Sequence, residues 1–99
     1  MKKIILLCAG GMSTGVLVNN MKAVARQKSE EYFIDAFPIN AVETVCQDAD
    51  CVLLGPQVSY QLAEITSAVS CPVESIDMRH YGMMDGAKVL DQALAMIGG

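Results

Sequence analysis

The stretch ILLCAGGMSTG, residues 5–15, joins an apolar run, a cysteine and a loop rich in glycines and hydroxyls. Residues 3–8 read as one strand, because an almost unbroken apolar run is typical of a parallel strand buried on both faces. The glycines that follow predict a tight loop, and Ser13 or Thr14 is suited to cap the helix after it. The stretch therefore predicts strand, loop and helix in succession, with Cys8 at the carboxyl end of the strand.

The rest of the chain repeats this alternation of apolar runs and helix-period segments. Residues 32–37, 51–54 and 72–76 predict three further strands, the first of them stopped by Pro38 and the next by Gly55 and Pro56. The segment HYGMMDG, residues 80–86, is predicted to be a loop. Helical spacing predicts a helix after each of the four strands, with these side chains on one face: Leu17, Met21, Val24, Ala25 and Lys28; Ile39, Val42, Val45 and Cys46; Val58, Leu62, Ile65 and Val69; Ala87, Leu90, Leu94 and Ile97.

Four strand–helix units predict an α/β fold, a single four-stranded parallel sheet with helices on both faces and right-handed crossovers. The 99 residues are enough for one domain, residues 1–99. In such sheets ligands bind at the carboxyl ends of the strands, near the switch in strand order. Cys8 and the loops after Leu54 and Ile76 are therefore expected on one edge.

Composition excludes several classes of protein. A net charge of −4 argues against nucleic acid as a partner. No apolar run approaches the roughly 20 residues of a membrane helix, and residues 4–7 are shorter than the ~7–15 residues of a signal-peptide core, so we expect a cytoplasmic protein. There is no CxxC pair and the single histidine, His80, is remote from the cysteines, so neither a metal nor another cofactor is expected. Cys46, Cys51 and Cys71 lie in apolar patterns and are interpreted as core residues.

The loop after Cys8 has the composition of an anion site. Gly10, Gly11 and Gly15 allow positive φ and close approach of the backbone to a ligand. The first N–H groups of the helix lack partners within the helix, and the helix dipole adds positive charge there. The same donors favour the thiolate form of a neighbouring cysteine. A nucleophile beside a phosphate-sized cradle indicates phosphoryl transfer through phosphocysteine.

Known phosphate motifs do not fit this loop. No Lys follows Gly15, so it is not a P-loop, and GxGxxG is absent. The C-x5-R pattern of cysteine phosphatases would need arginine where Thr14 stands. Without that arginine the site favours accepting and passing on a phosphoryl group over hydrolysing its ester.

Three segments together resemble the lactose/cellobiose/chitobiose-type IIB component of the bacterial sugar phosphotransferase system. They are ILLCAGGMSTGVLVNNM at residues 5–21, DADCVLLGPQVSYQL at residues 48–62 and YGMMDGAKVLDQAL at residues 81–94. The resemblance covers essentially the whole chain, and it implies a fold similar to the low-molecular-weight tyrosine phosphatases.

The resemblance also implies a function. A IIB protein receives a phosphoryl group from a histidine of its IIA partner, here onto Cys8. It then passes the group to a sugar held by the membrane component IIC, which for this family includes β-linked disaccharides such as cellobiose, chitobiose or lactose. Both contacts would be transient, at the inner face of the membrane and without insertion into it. The resemblance places around the phosphoryl group the following residues: Ala9, Gly10, Gly11, Met12, Ser13, Thr14 and Gly15.

Residues from two later loops are candidates for the rim of the site or for partner contacts: Gln57, Tyr60, His80, Tyr81 and Met84. For each of them taken singly, a purely structural role is the favoured alternative, and for His80 that role is an exposed loop residue. Two other functions stay open from the residues alone. A cysteine phosphatase or arsenate reductase could use the same fold, and a small flavin-binding or regulatory module is the other alternative.

Overall fold

The computed structural model describes residues 2–9 and 13–98, without the side chain of Ser13. Its strands are β1 (Lys2–Cys8), β2 (Tyr32–Pro38), β3 (Cys51–Leu54) and β4 (Val73–Ser75). Its α-helices are α1 (Ser13–Gln27), α2 (Val42–Val45), α3 (Leu62–Ala68), α4 (Met78–Gly82) and α5 (Gly86–Gly98). Short 3₁₀ turns at Ile39–Ala41 and Pro56–Gln61 lead into α2 and α3.

The four strands form one parallel sheet in the order β2-β1-β3-β4, as predicted. The strand β1 pairs with β2 from Lys2↔Tyr32 to Cys8↔Pro38, and with β3 from Ile4↔Cys51 to Leu7↔Leu54. The two central strands are covered on both sides, and residues 4–8 and 51–54 are all buried. This explains why their sequences are continuously apolar rather than alternating.

Successive side chains of the two central strands pack alternately into two separate cores, one on each face of the sheet. Ile4, Leu6 and Leu53 point to the side where α1 and α5 pack. Ile5, Leu7 and Leu54 point to the opposite side, with Cys46, Val58 and Ile65 of the other connections. The prediction of helices on both faces of a parallel sheet is therefore confirmed. Within the described residues, no helix is both long and apolar enough to cross a bilayer.

Two details of the sequence interpretation were wrong. The segment 80–86 is not a loop throughout, because α4 covers its first three residues. Asp77 caps this helix by accepting a 2.8 Å hydrogen bond from the Arg79 N–H. In α5 the buried face is Gly86, Val89, Leu90 and Ala93. Of the predicted face, Leu90 is buried and Leu94 and Ile97 pack against the core, whereas Ala87 is exposed.

Candidate functional site

The carboxyl edge of the sheet changes direction between β1 and β3. From β1 the chain moves to β2 on one side, and it then crosses back to β3 and β4 on the other. The order of the strands therefore reverses between β1 and β3, and open parallel sheets bind ligands outside the carboxyl ends of the strands at such a point. Cys8 is the last residue of β1, and Gly55 directly follows β3. The sequence interpretation had expected the cysteine at this edge.

Cys8 lies close against the neighbouring strands. Its side chain is 5% exposed, and its Sγ lies 3.8 Å from the carbonyl oxygen of Phe37 on β2. On the other side is Gly55, whose N–H donates to the Leu7 carbonyl at 2.9 Å. A Cβ added at Gly55 would lie 3.8 Å from the Cys8 Cβ. Glycine at this position therefore leaves the space between Cys8 and Gln57 free of a further side chain.

The predicted phosphoryl-binding loop is only partly described. Gly10, Gly11 and Met12 lie outside the described residues, whereas Ala9 is exposed. Ser13, Thr14 and Gly15 form the first turn of α1. Gly15 is part of the helix, and nothing lies within 4 Å of a Cβ built on it. Its φ is not positive, so the conformation does not require glycine.

Thr14 is turned into the protein. It is 1% exposed, and its Oγ1 lies 3.0 Å from the hydroxyl of Tyr81 on α4. The Tyr81 hydroxyl also accepts a hydrogen bond from the Gln57 Nε2 at 3.3 Å. The structure thus joins Thr14, Gln57 and Tyr81 into one cluster. The sequence interpretation named these residues separately but had no means of connecting them, since Thr14 and Tyr81 stand 67 residues apart.

The other rim candidates occupy different surroundings. Tyr60 is 80% exposed on the 3₁₀ turn after β3, and its hydroxyl accepts a hydrogen bond from Gln61. Met84 is half-buried with φ +53°, and its carbonyl accepts a 2.9 Å hydrogen bond from Asn20 Nδ2 on α1. His80 is half-buried on α4, and among the described residues its Nδ1 is buried without a hydrogen-bond partner. Its side chain lines an open groove with Glu74, Asp77, Lys88 and Asp91.

The remaining cysteines are not part of this edge. Cys51 begins β3, Cys71 lies just before β4 and Cys46 follows α2. Burial raises the pKa of the Cys46 thiol to about 11 and that of Cys51 to about 12, and it also raises the pKa of Cys71. These thiols are therefore protonated and unreactive near neutrality. No group of His, Cys, Asp and Glu side chains in the described ranges is arranged to hold a metal ion.

Comparisons with known proteins agree on one family. Residues 3–92 match the family model described as the lactose/cellobiose-specific IIB subunit of the PTS system. The chain is 42% identical to the oligo-beta-mannoside-specific EIIB component of Bacillus subtilis, over 98% of this chain and 97% of that protein. It is 36% identical to the cellobiose-specific EIIB component of Lactococcus lactis, over 93% of each chain.

Solved structures of similar fold point the same way. The cellobiose-specific IIB component of Borrelia burgdorferi superposes with a TM-score of 0.78 at 30% identity, over 98% of this chain and 92% of that one. The lactose-specific IIB domain of Streptococcus pneumoniae superposes with a TM-score of 0.82 over 96% of both chains. That domain is only 19% identical, so this likeness concerns the fold.

Proposed function

The chain belongs to the lactose/cellobiose-specific IIB subunit family of the sugar phosphotransferase system, and we propose that it carries the phosphoryl group on Cys8. A phosphotransferase component of sugar uptake works between a IIA and a IIC partner. In this proposal the donor is a phosphohistidine of IIA, and the acceptor is a sugar bound by the membrane component IIC. The protein acts in the cytoplasm and docks at the inner face of the membrane.

The position of Cys8 is the single observation that carries the proposal. Its sulfur stands at the carboxyl end of the central strand, at the switch point, and the chain continues from it into the first turn of α1. Helix N-termini favour anions, both a thiolate and a bound phosphoryl group. The other described cysteines lie elsewhere and have raised pKa values. Cys8 is accordingly the nucleophile to which the surrounding main chain is suited.

The proposed transfer has two steps that use one sulfur. In the first, the Cys8 thiolate attacks the phosphorus of the donor phosphohistidine, the S–P bond forms as the P–N bond breaks, and the electron pair stays on the donor imidazole. In the second, a sugar hydroxyl oxygen attacks the same phosphorus and the S–P bond breaks. The sulfur leaves as thiolate, and the hydroxyl proton passes to a base of the acceptor or to solvent.

Thr14 explains why the group would be passed on and not hydrolysed. In this loop an arginine clamp of the phosphatase type would have to start from residue 14. The threonine there is buried, and its hydroxyl is engaged with Tyr81. Only main-chain donors and groups supplied by a partner would then stabilise the charge of the transition state. Hydrolysis of the phosphocysteine by water is therefore expected to be slow.

The sugar is proposed from the relatives. Their names include oligo-beta-mannoside and cellobiose, so we propose a β-linked disaccharide or short oligosaccharide for this system. A relative named for galactose shows that the family is broader than this class. The membrane component would make the choice among them.

The test is to phosphorylate the protein with its IIA partner and to locate the added mass by peptide mass spectrometry. One phosphoryl group is expected on Cys8, and Cys8→Ser should lose it. Cys71→Ser is the matched control, because it removes a half-buried thiol away from the carboxyl edge and should be labelled like the wild type. A label on His80 or Ser13 would contradict the proposal. So would steady hydrolysis of an aryl phosphate, which would instead support a phosphatase.

A further inference from the structure

One polar cluster, buried at Thr14 and Tyr81 and exposed at Gln57, joins three elements that follow the carboxyl ends of the strands. Thr14 contributes from the first turn of α1, Tyr81 from α4 and Gln57 from the turn after β3. The two hydroxyl oxygens of Thr14 and Tyr81 are 3.0 Å apart, and the Gln57 amide donates to Tyr81 at 3.3 Å. Thr14 is the one buried polar or charged residue in the described part of the chain. A polar group in that position needs a partner, and Tyr81 supplies it.

The side chain of Tyr81 is held in place by the core around its ring and by the helix that carries it. Its ring belongs to the core on the side of α1 and α5, with 8% of the residue exposed. The helix that carries it is capped by Asp77, which also fixes its start after β4. Thr14 is β-branched and therefore stiff at χ1. The contact between the two hydroxyls thus links the first turn of α1 to α4.

The cluster reaches the neighbourhood of the sulfur through Gln57. A Cβ built on Gly55 would lie 2.9 Å from Gln57 Oε1 and 3.8 Å from the Cys8 Cβ. The Gln57 amide and Cys8 consequently both lie close to Gly55. One end of the amide faces Gly55, and its other end donates to Tyr81. The cluster therefore connects the start of α1 with the residues beside Cys8.

We propose that Tyr81 is a positioning residue for phosphoryl transfer, acting through Thr14 to hold the first turn of α1 in register with Cys8. The proposal rests on the function proposed above and adds a residue to it. The unpaired N–H groups of a helix start stabilise an anion only when they face it. By tying Thr14 to α4 and to the turn after β3, the Tyr81 hydroxyl keeps these donors aimed at the thiolate and at the phosphoryl oxygens.

The test is Tyr81→Phe, which keeps the ring in the core and removes the hydroxyl alone. In single-turnover transfer from saturating phosphorylated IIA, the rate constant should fall about fivefold, equivalent to roughly 1 kcal/mol at 1.36 kcal/mol per tenfold. The IIA concentration giving half of the maximal rate should not change. Tyr32→Phe is the matched control, because the Tyr32 hydroxyl binds the exposed Glu30 at the opposite edge of the sheet.

A second measurement needs no phosphoryl donor. The ultraviolet absorbance of the Cys8 thiolate is titrated against pH. For the wild type and for each variant, the absorbance of the matching Cys8→Ser protein is subtracted. In Tyr81→Phe the midpoint should move to higher pH, because the helix start favours the thiolate less. This readout separates two failures. Absence of label on Cys8 in the wild type removes the proposed function, whereas an unmoved titration removes the positioning role.

The pair Thr14→Val and Thr14→Ser supplies a further check that does not depend on Tyr81→Phe folding. Valine preserves the shape of threonine and lacks the hydroxyl, so it should reproduce the slower transfer and the shifted titration. Serine keeps the hydroxyl and should restore wild-type values. Equal losses in both variants would show that the methyl packing matters, and they would overturn the proposal, as would wild-type behaviour of Thr14→Val.

Discussion

The four cysteines of this chain differ in what surrounds each sulfur. All three of Cys8, Cys46 and Cys51 are buried, but Cys8 ends β1 at the carboxyl edge of the sheet, whereas Cys46 and Cys51 belong to the two cores. Burial raises their pKa values to about 11 and about 12, because a thiolate there would lose its hydration. The same residue type is thus the proposed nucleophile at the end of β1 and a small apolar residue of the core elsewhere.

The buried thiols predict how stability depends on alkaline pH. Their folded pKa values lie above those of the unfolded chain, so the folded state binds more protons between about pH 9 and the raised values. The contribution of these protonated thiols to the free energy of unfolding is therefore fully present below about pH 9. It is lost as the pH rises toward 11–12. The expected slope is at most about 1.4 kcal/mol per pH unit for each thiol. Urea unfolding at a series of pH values measures it.

The matched control for this pH effect is Cys46→Ala, which removes one of the thiols whose pKa is raised. The variant should be less stable at pH 7 because a buried side chain is shortened. It should nevertheless lose less additional stability between pH 9 and 10.5 than the wild type. An identical slope in both proteins would mean that other groups cause the alkaline loss.

At the scale of elements, the contact between α1 and α5 depends on one glycine. Gly86 begins α5, and a Cβ there would lie 2.5 Å from the Asn20 carbonyl carbon and 2.7 Å from the Met21 nitrogen. These are backbone atoms in the middle of α1, so they cannot move aside as a side-chain tip would. The two helices can pack at this distance only while residue 86 has no side chain.

Gly86→Ala is therefore expected to destabilise the protein by about 1–3 kcal/mol, the usual cost of overpacking. Gly82→Ala is the control, because nothing lies within 4 Å of a Cβ added there. That substitution in α4 should be neutral or stabilising by up to ~1 kcal/mol through helix propensity. Chemical denaturation of the two variants compares them directly. Equal stability of Gly86→Ala and the wild type would contradict the close approach of the helices.

Sequence patterns predicted the larger elements and the edge where Cys8 lies, because both depend on local periodicity. The strands β1 and β3 are covered on both faces, and such strands leave unbroken apolar runs in the sequence. The helix α4 was missed since it is five residues long and shorter than a reliable periodic window. The one signal for α4 in the sequence was Asp77, an acidic residue suited to cap a helix after β4. The Thr14–Tyr81 contact left no sequence signal, because it forms only when distant elements pack.

At the scale of the whole molecule, exposed apolar side chains gather on one end. Five large apolar residues in the described ranges are more than 40% exposed. Four of them stand on or next to elements that follow the carboxyl ends of the strands: Val16, Tyr60, Met78 and Met83. Phe33 is the exception, near the start of β2 at the opposite edge. A carrier that docks two partners in turn over one sulfur needs an adaptable apolar surface at that end, and methionine is suited to it.

This distribution predicts which surface substitutions weaken docking without slowing the chemistry. Tyr60→Lys and Met83→Lys should each raise the IIA concentration for half-maximal labelling of Cys8 about tenfold, as loss of a well-placed apolar contact does at an interface. The rate at saturation should stay near that of the wild type, because neither side chain belongs to the Thr14–Tyr81 cluster. Phe33→Lys adds the same charge at the far edge and should leave both quantities unchanged. If Phe33→Lys weakened docking as much as the other two substitutions, the added charge would be responsible. The prediction that the carboxyl edge is the docking surface would then be wrong.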